Sequence, residues 1–365
     1  MINPILLEKV KTQLASSGAV LTELEITQAL RISGALESGA ELIALAKNIR
    51  SLLVGYGPLE ELMQRTDLTD VLVHGDGRVF IDSAAGLQFY GKLFSDAASV
   101  RCLAQRLALQ AGRRLDDAHP WVDAKLTDGN RLHALLPPIA VNGPQISIRI
   151  PSRKPFTFAE LIEQGSLTEA AAADLTQLIV DHESFLVVGG TGAGKTSLLA
   201  AMLSNIASDQ RLIVVEENTE LQLTHPHLVQ LEAKPATADG VGAIAMQDLI
   251  KQTLRMRPDR IVVGEIRGAE VLDLLLALNT GHTGSAATLH ANSAAEVPAR
   301  IAALGFLAGI SAELSQAWLL SGITKVIEIK RINNRRVVTA ISAANKSTGR
   351  YEMVNNYQPN QLRAA

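Results

Sequence analysis

The chain has 365 residues, room for two domains of ordinary size. Its 47% hydrophobic content can fill sizeable cores, and a formal net charge of −3 offers no basic surface of the kind a nucleic-acid partner needs. The single cysteine, Cys102, excludes an intrachain disulfide and a tetra-cysteine zinc site, fits a reducing cytosol, and reads as a small core residue.

Residues 1–50 place Ile5, Leu6, Val10 and Leu14 at helical spacing and predict a helical amino-terminal extension. No basic segment precedes an apolar run near Met1, so no targeting signal is read. The longest apolar stretch, residues 301–310, is about half of the ~20 residues a membrane span requires. Gly55-Tyr56-Gly57-Pro58 ends the helical pattern. Val71-Leu72-Val73 and Val79-Phe80-Ile81, around His74-Gly75-Asp76-Gly77, predict a hairpin. A helix over 97–110 and strands at 131–136 and 145–150 complete an α+β domain over residues 51–150. Pro151-Ser152-Arg153-Lys154-Pro155 has linker chemistry, which places a linker at 151–157. From 158 to 342, strands at 184–188, 212–215 and 261–263 alternate with helices at 196–206, 243–254 and 269–278. That alternation predicts an α/β domain built on a mostly parallel sheet covered on both faces. One helical stretch over 294–320, a hairpin around Asn333-Asn334 and a frayed polar tail over 343–365 close the chain.

Gly189-Gly190-Thr191-Gly192-Ala193-Gly194-Lys195-Thr196 satisfies the pattern G-x-x-x-x-G-K-[ST], with a strand before it and a helix after. The glycines allow a turn whose N–H groups converge, and the positive end of the following helix adds to the attraction for phosphate. In this Walker A loop Lys195 reaches for the β- and γ-phosphates and the Thr196 hydroxyl for Mg²⁺. Lys195 stands where a dinucleotide motif needs its third glycine, so that reading fails.

Arg260-Ile261-Val262-Val263-Gly264-Glu265 is an apolar strand ending in an acid, the arrangement that delivers a carboxylate beside the phosphates. Glu265 would hold the metal through water or orient the attacking water. The strand at 212–215 ends in Glu216, Glu217 and Glu220, which read either as a catalytic base and metal shell or as a solvated acidic turn. His290 follows a strand-like run and is placed to sense the γ-phosphate, whereas His225 and His227 read as structural. Zinc binding by the histidines lacks an H-E-x-x-H spacing or a cysteine partner. Charge on the γ-phosphate calls for a cation, and the candidates are Arg131, Arg149, Arg255, Arg257 and Arg267.

Leu254-Arg255-Met256-Arg257-Pro258-Asp259-Arg260, Gly264-Glu265-Ile266-Arg267-Gly268, and Thr280-Gly281-His282-Thr283-Gly284-Ser285 with Thr288-Leu289-His290-Ala291-Asn292 resemble the secretion ATPase superfamily of type II and type IV secretion and of type IV and tight-adherence pili. Gly55-Tyr56-Gly57-Pro58-Leu59, Val122-Asp123-Ala124, Asp128-Gly129-Asn130-Arg131 and Ile146-Ser147-Ile148-Arg149 look like its tight-adherence (TadA/CpaF-type) branch. The resemblance spans residues 50–330 or so. It implies a RecA-like P-loop domain and a hexameric, cytoplasmic ATPase bound peripherally to an inner-membrane platform protein, with ATP and Mg²⁺ and no nucleic acid. It assigns Glu216, Glu217 and Glu220 to an acidic box, with Glu220 activating water, and His282 and His290 to a histidine box. It likens Arg131 and Arg149 to arginines that contact phosphates, and extends the nucleotide-binding run through Ser197. Glu217 stands where the family usually has Asp. The rival functions are a retraction or type IV traffic ATPase, a nucleic-acid translocase, a GTPase switch and a non-catalytic subunit. For the GTPase, Asn345-Lys346-Ser347-Thr348 misses the final Asp of the guanine motif.

Overall fold

The computed structural model describes residues 4–17, 22–35, 39–83, 85–151, 155–234, 236, 241–333 and 335–357. The chain divides into two compact units, Met1–Pro151 and Ser152–Ala365. Residues 152–154 of the expected linker lie outside the described residues.

The first unit opens with helices α1 (Pro4–Ser17), α2 (Glu23–Ile32) and α3 (Gly39–Val54). Their apolar stripes close on one another through Val10, Ile26, Leu30, Leu42 and Ile49, a core of their own. Thr22 and Glu25 cap α2 reciprocally, each side chain taking the other's backbone N–H. After a one-turn α4 (Glu60–Met63) come β1 (Leu68–Val73), β2 (Arg78–Ser83), β3 (Gln88–Lys92), α5 (Ala97–Gln110), β4 (Trp121–Lys125), β5 (Arg131–Leu135) and β6 (Gln145–Arg149). The six strands form an antiparallel sheet in the order β3-β2-β1-β6-β5-β4. Alternation puts Val71, Val73, Leu132, Ala134, Ile146 and Ile148 on one face. That face shares a core with Val100, Leu103, Ala104 and Leu107 of α5. Cys102, expected in the core, is exposed, because it stands on the side of α5 away from those four.

The second unit contains α6 (Phe158–Glu163), α7 (Glu169–Val180), β7 (Phe185–Val188), α8 (Lys195–Leu203), β8 (Leu212–Glu216), β9 (Leu228–Glu232), α9 (Met246–Thr253), β10 (Arg260–Ile266), α10 (Glu270–Asn279) and β11 (Ala286–Leu289). It continues with α11 (Val297–Leu307), α12 (Ala312–Gly322), β12 (Lys325–Ile332), β13 (Arg335–Asn345) and β14 (Arg350–Asn356). The eight strands run β14-β13-β12-β7-β11-β10-β8-β9. From β12 to β9 every pairing is parallel, and β13 and β14 add an antiparallel edge. Strands β7, β8 and β11 are buried along their whole length, which is why they read as unbroken apolar runs. The α/β expectation therefore holds, with helices on both faces contributing to two separate apolar cores.

Two expectations fail. The single helix over 294–320 is broken at Gly309, whose φ of 87° ends α11, and Ser311 caps α12 through the N–H of Leu314. The frayed tail is instead sheet as far as Asn356. Within residues 343–357 only Tyr351 and Tyr357 are buried, so the composition looked polar. Their hydroxyls donate to Ile323 O (3.0 Å) and Asp174 Oδ2 (2.5 Å). Asn345-Lys346-Ser347-Thr348 is the turn between β13 and β14, where Asn345 Oδ1 accepts the N–H groups of Ser347 and Thr348.

Parallel strands give the sheet two chemically distinct edges. At the amino edge Arg260, almost wholly buried, donates to Ile179 O (2.6 Å), Gly284 O (3.2 Å) and Gln210 Oε1 (2.7 Å). It ties α7, two loops and β10 together. Arg260→Ala leaves a cavity and strands those three acceptors, and is expected to cost about 3 kcal/mol in denaturant unfolding. A loss below about 1 kcal/mol would remove Arg260 as the tie at this edge.

Candidate active site

The carboxyl edge carries the chemistry. The loop from Gly189 to Gly194 joins β7 to α8, and Gly194 is the N-cap of α8 with φ 95°, a left-handed conformation that favours glycine. A side chain at 194 would also strike Arg336, since a Cβ there would lie 2.9 Å from Arg336 Cδ. Arg336 Nε donates to Gly192 O (3.2 Å), so the β12–β13 hairpin braces the loop from behind. No signal in the sequence pointed to Arg336. Ser197, Leu198, Leu161, Ile329, Val338 and Arg336 line a small pocket of about 30 Å³ beside the loop.

Lys195 is folded back into this loop, its Nζ donating to Gly189 O (3.1 Å) and Gly190 O (3.3 Å). It also lies 3.2 Å from His290 Nδ1. His290 Nε2 in turn is 2.7 Å from Glu265 Oε1. The Nε2–H tautomer serves both contacts, accepting from Lys195 and donating to Glu265; the tautomer is assigned from this network. Glu265 Oε2 takes Arg267 Nε at 2.6 Å and Nη2 at 2.5 Å, and Arg267 Nη1 reaches Glu217 Oε2 at 3.2 Å. One polar chain thus runs Lys195–His290–Glu265–Arg267–Glu217.

Strand order explains the chain. β11 lies between β7 and β10, with Leu289 paired to Val188 on one side and Ile266 on the other. The next residue, His290, therefore emerges between the phosphate loop and Glu265. Between the Val263↔Ala287 and Ile266↔Leu289 pairs, β10 holds one residue more than β11. Thr288 Oγ1 donates to Gly264 O (2.6 Å) within this bulge. Bulges re-aim side chains, and here the bulge carries Glu265 itself. Glu270 Oε1 accepts the N–H groups of Arg267 (2.6 Å) and Gly268 (2.7 Å) and secures the turn that follows.

The other predicted residues divide by edge. Arg255 and Arg257 precede the first residue of β10 and His282 precedes β11, so all three belong to the amino edge. His282 bonds to Ala277 O there. The histidine box is thereby split, with His290 alone beside the phosphate loop. His225 and His227 lie just before β9, where His227 Nε2 contacts Arg211 Nη1 at 2.9 Å. Among the described residues no three His, Cys, Asp or Glu side chains are grouped to hold a metal ion. Arg131 and Arg149 belong to the first unit as directly opposed residues of β5 and β6. Two like charges in that register repel, and Asp70 Oδ1 stands 3.5 Å from Arg149 Nε.

A family model described as Type II/IV secretion system protein matches residues 53–357. The chain belongs to that family. A Mycobacterium tuberculosis H37Rv protein named for conjugal transfer is 45% identical over 321 residues, covering 86% of this chain and 91% of the relative. The conjugal transfer protein TrbB of Rhizobium radiobacter is 33% identical, over 75% of this chain and 83% of its own length. In fold, the chain is similar to the Legionella pneumophila ATPase DotB, with a TM-score of 0.55 at 19% identity over 79% of each chain.

In this family member burial works on Lys195, His290 and Arg267 of the polar chain. Lys195 is held below its usual pKa, by burial first, against the pull of Glu265. His290 is also held down, by burial and then by Lys195, in spite of Glu265, and so favours the neutral ring that the network requires. Arg267 loses to burial but gains more from Glu265, Glu217 and Glu220, and stays firmly charged. Glu216 differs from its neighbours. It is 4% exposed, and burial pushes its carboxyl from 4.5 to about 7, although the N–H groups of Glu220 and Leu221 pull the other way.

That shift has a defined sign. The folded state keeps the Glu216 proton to higher pH than the unfolded state, so its favourable contribution is complete below pH 4.5 and is lost as pH rises through about 7. Glu216→Gln, which never ionises, is expected to match the parent near pH 4.5 and to exceed its unfolding free energy by on the order of 3 kcal/mol above pH 8. A constant difference across that range, in denaturant titrations at each pH, would show that Glu216 ionises without penalty.

Proposed function

We propose that this chain hydrolyses ATP and powers assembly of a pilus or secretion machine at the cytoplasmic face of a membrane, as one subunit of a ring motor. The observation that carries the chemistry is the Lys195–His290–Glu265–Arg267 chain beside a complete phosphate loop. Lys195 exchanges its carbonyl partners for the β- and γ-phosphates, and the N–H groups of Gly190 through Ser197 take the remaining oxygens. Thr196 and Glu265 would hold Mg²⁺, which would supply charge neutralisation at the phosphates. Glu220 accepts a proton from the attacking water as that oxygen bonds to the γ-phosphorus and ADP leaves. Arg267 and Glu217 set the charge around Glu265, and His290 reports the γ-phosphate to β11. Arg131 and Arg149 are assigned to phosphate contact on resemblance.

Residues 51–150 and 158–342 act as two domains, and the motor works as a homohexamer docked on an inner-membrane platform protein. Among the described residues no helix is long and apolar enough to cross a membrane. Within the family, resemblance of the motifs around Gly55, Asp128 and Arg149 supports reading the chain as one of the tight-adherence pilus branch.

Lys195→Ala is expected to abolish nucleotide binding or turnover; normal ATPase activity in that variant refutes the site. Glu265→Gln and Glu220→Gln are expected to bind ATP yet turn over at least about a hundredfold more slowly. Near-normal kcat in either removes that residue from the mechanism. ATPase activity across size-separated fractions is expected in the large species alone, and full activity in the monomer would exclude a ring-dependent site.

A further inference from the structure

Four acids crowd the ends of β8 and β9, and their geometry separates two jobs. Glu216 and Glu232 are cross-strand partners at the last paired position of the two strands. Glu232 Oε2 accepts the N–H of Thr219 (3.0 Å) and its hydroxyl as well. Glu216 Oε1 accepts the N–H groups of both Glu220 and Leu221, each at 3.0 Å. The loop between the strands is therefore sewn down from both sides by carboxyl groups that accept its own backbone donors. Glu217 pairs instead with Arg267, whose charge Glu220 also supports.

The pocket for Glu216 is made by an absence on the neighbouring strand. A Cβ on Gly264 would lie 2.7 Å from Glu216 Cγ and 3.1 Å from Oε1. Gly264 precedes Glu265 directly, and its carbonyl is fixed by Thr288. Glycine at 264 is thus required by close approach, and the group that approaches is the one that anchors Glu220.

We propose that Glu216 is a positioning residue, seated in the slot that Gly264 leaves open, whose Oε1 sets the backbone of Glu220 and so fixes where that carboxylate meets the attacking water. The inference rests on the reading of Glu220 as the water-activating group. It removes Glu216 from the catalytic and metal-holding roles, since the carboxyl faces backbone donors and needs no negative charge to accept from them. It also couples the two acidic strands: a shift at Gly264 moves Glu216, and Glu216 moves Glu220.

The test uses the full chain and five variants: Glu216→Ala, Glu216→Gln, Gly264→Ala, the double variant Glu216→Ala/Gly264→Ala, and Glu220→Gln as reference. Steady-state ATPase kinetics are read beside ADP affinity by a fluorescent analogue. Glu216→Ala is expected to lower kcat about ten- to a hundredfold, the range that small misplacements of a reacting group produce, with KM and ADP affinity within about threefold. Glu216→Gln, which keeps the acceptor, is expected to recover most of that loss. Gly264→Ala is expected to resemble Glu216→Ala, and the double variant to be no worse than either single one, because both act through one contact.

Glu216→Gln as slow as Glu220→Gln would overturn the proposal and make Glu216 a catalytic carboxylate. So would unchanged kcat in Glu216→Ala, or losses in the two single variants that multiply in the double. Should Glu216→Ala fail to fold, Gly264→Ala with Glu216→Gln decides: slow turnover in the first and recovery in the second support the proposal, and parent-like kcat in the first overturns it. Normal turnover in Glu220→Gln refutes the underlying reading, a result separate from any seen at position 216.

Discussion

A histidine held between a lysine and a carboxylate is the contact on which the rest of this site turns. Lys195 opens α8, His290 follows β11 and Glu265 lies near the end of β10, and they meet because β7, β11 and β10 lie side by side and end at the same edge. Parallel pairing makes that coincidence unavoidable: strands that run the same way deliver the residues after them to one rim. The antiparallel sheet of the first unit has no such rim, and its paired arginines sit within strands instead.

The rim is built from charges that burial penalises, and the network is how the penalty is met. An ammonium taken from water needs several acceptors, and Lys195 finds two loop carbonyls and an imidazole. Its pKa still falls, which leaves it ready to exchange those neutral acceptors for phosphate oxygens. Glu265 stands between His290 and Arg267, with one carboxylate oxygen facing each. The outermost pair, Arg267 with Glu217, is largely exposed and adds orientation more than stability.

Small residues around the rim are as telling as charged ones. Gly194 gives way to Arg336 and Gly264 to Glu216, so two motif glycines that read as phosphate-loop and strand-end features are also points where a side chain from a neighbouring strand comes close. Thr288, buried in β11, does the complementary work by taking the carbonyl of Gly264 at the bulge. The acids read together as one box therefore separate into an anchor, Glu216, a partner of Arg267, Glu217, and Glu220, whose backbone the anchor holds.

The phosphate loop, the strand ending in Glu265 and the α/β class were all legible in the sequence, because each is written in contiguous residues with a local physical cause. The strand at β14 was not, since an edge strand with two buried tyrosines has no apolar run, and Cys102 was misread because one residue's turn around a helix decides its exposure. The break at Gly309 was local, yet apolar residues on both sides of it concealed the end of α11. What only the tertiary structure decided is which residues share an edge. It parted His282 from His290, sent Arg255 and Arg257 to the far side, brought in Arg336, and turned Glu216 inward. Those outcomes depend on strand order and on the approach of residues some 50 to 140 positions apart in the chain, distances over which no local pattern carries information.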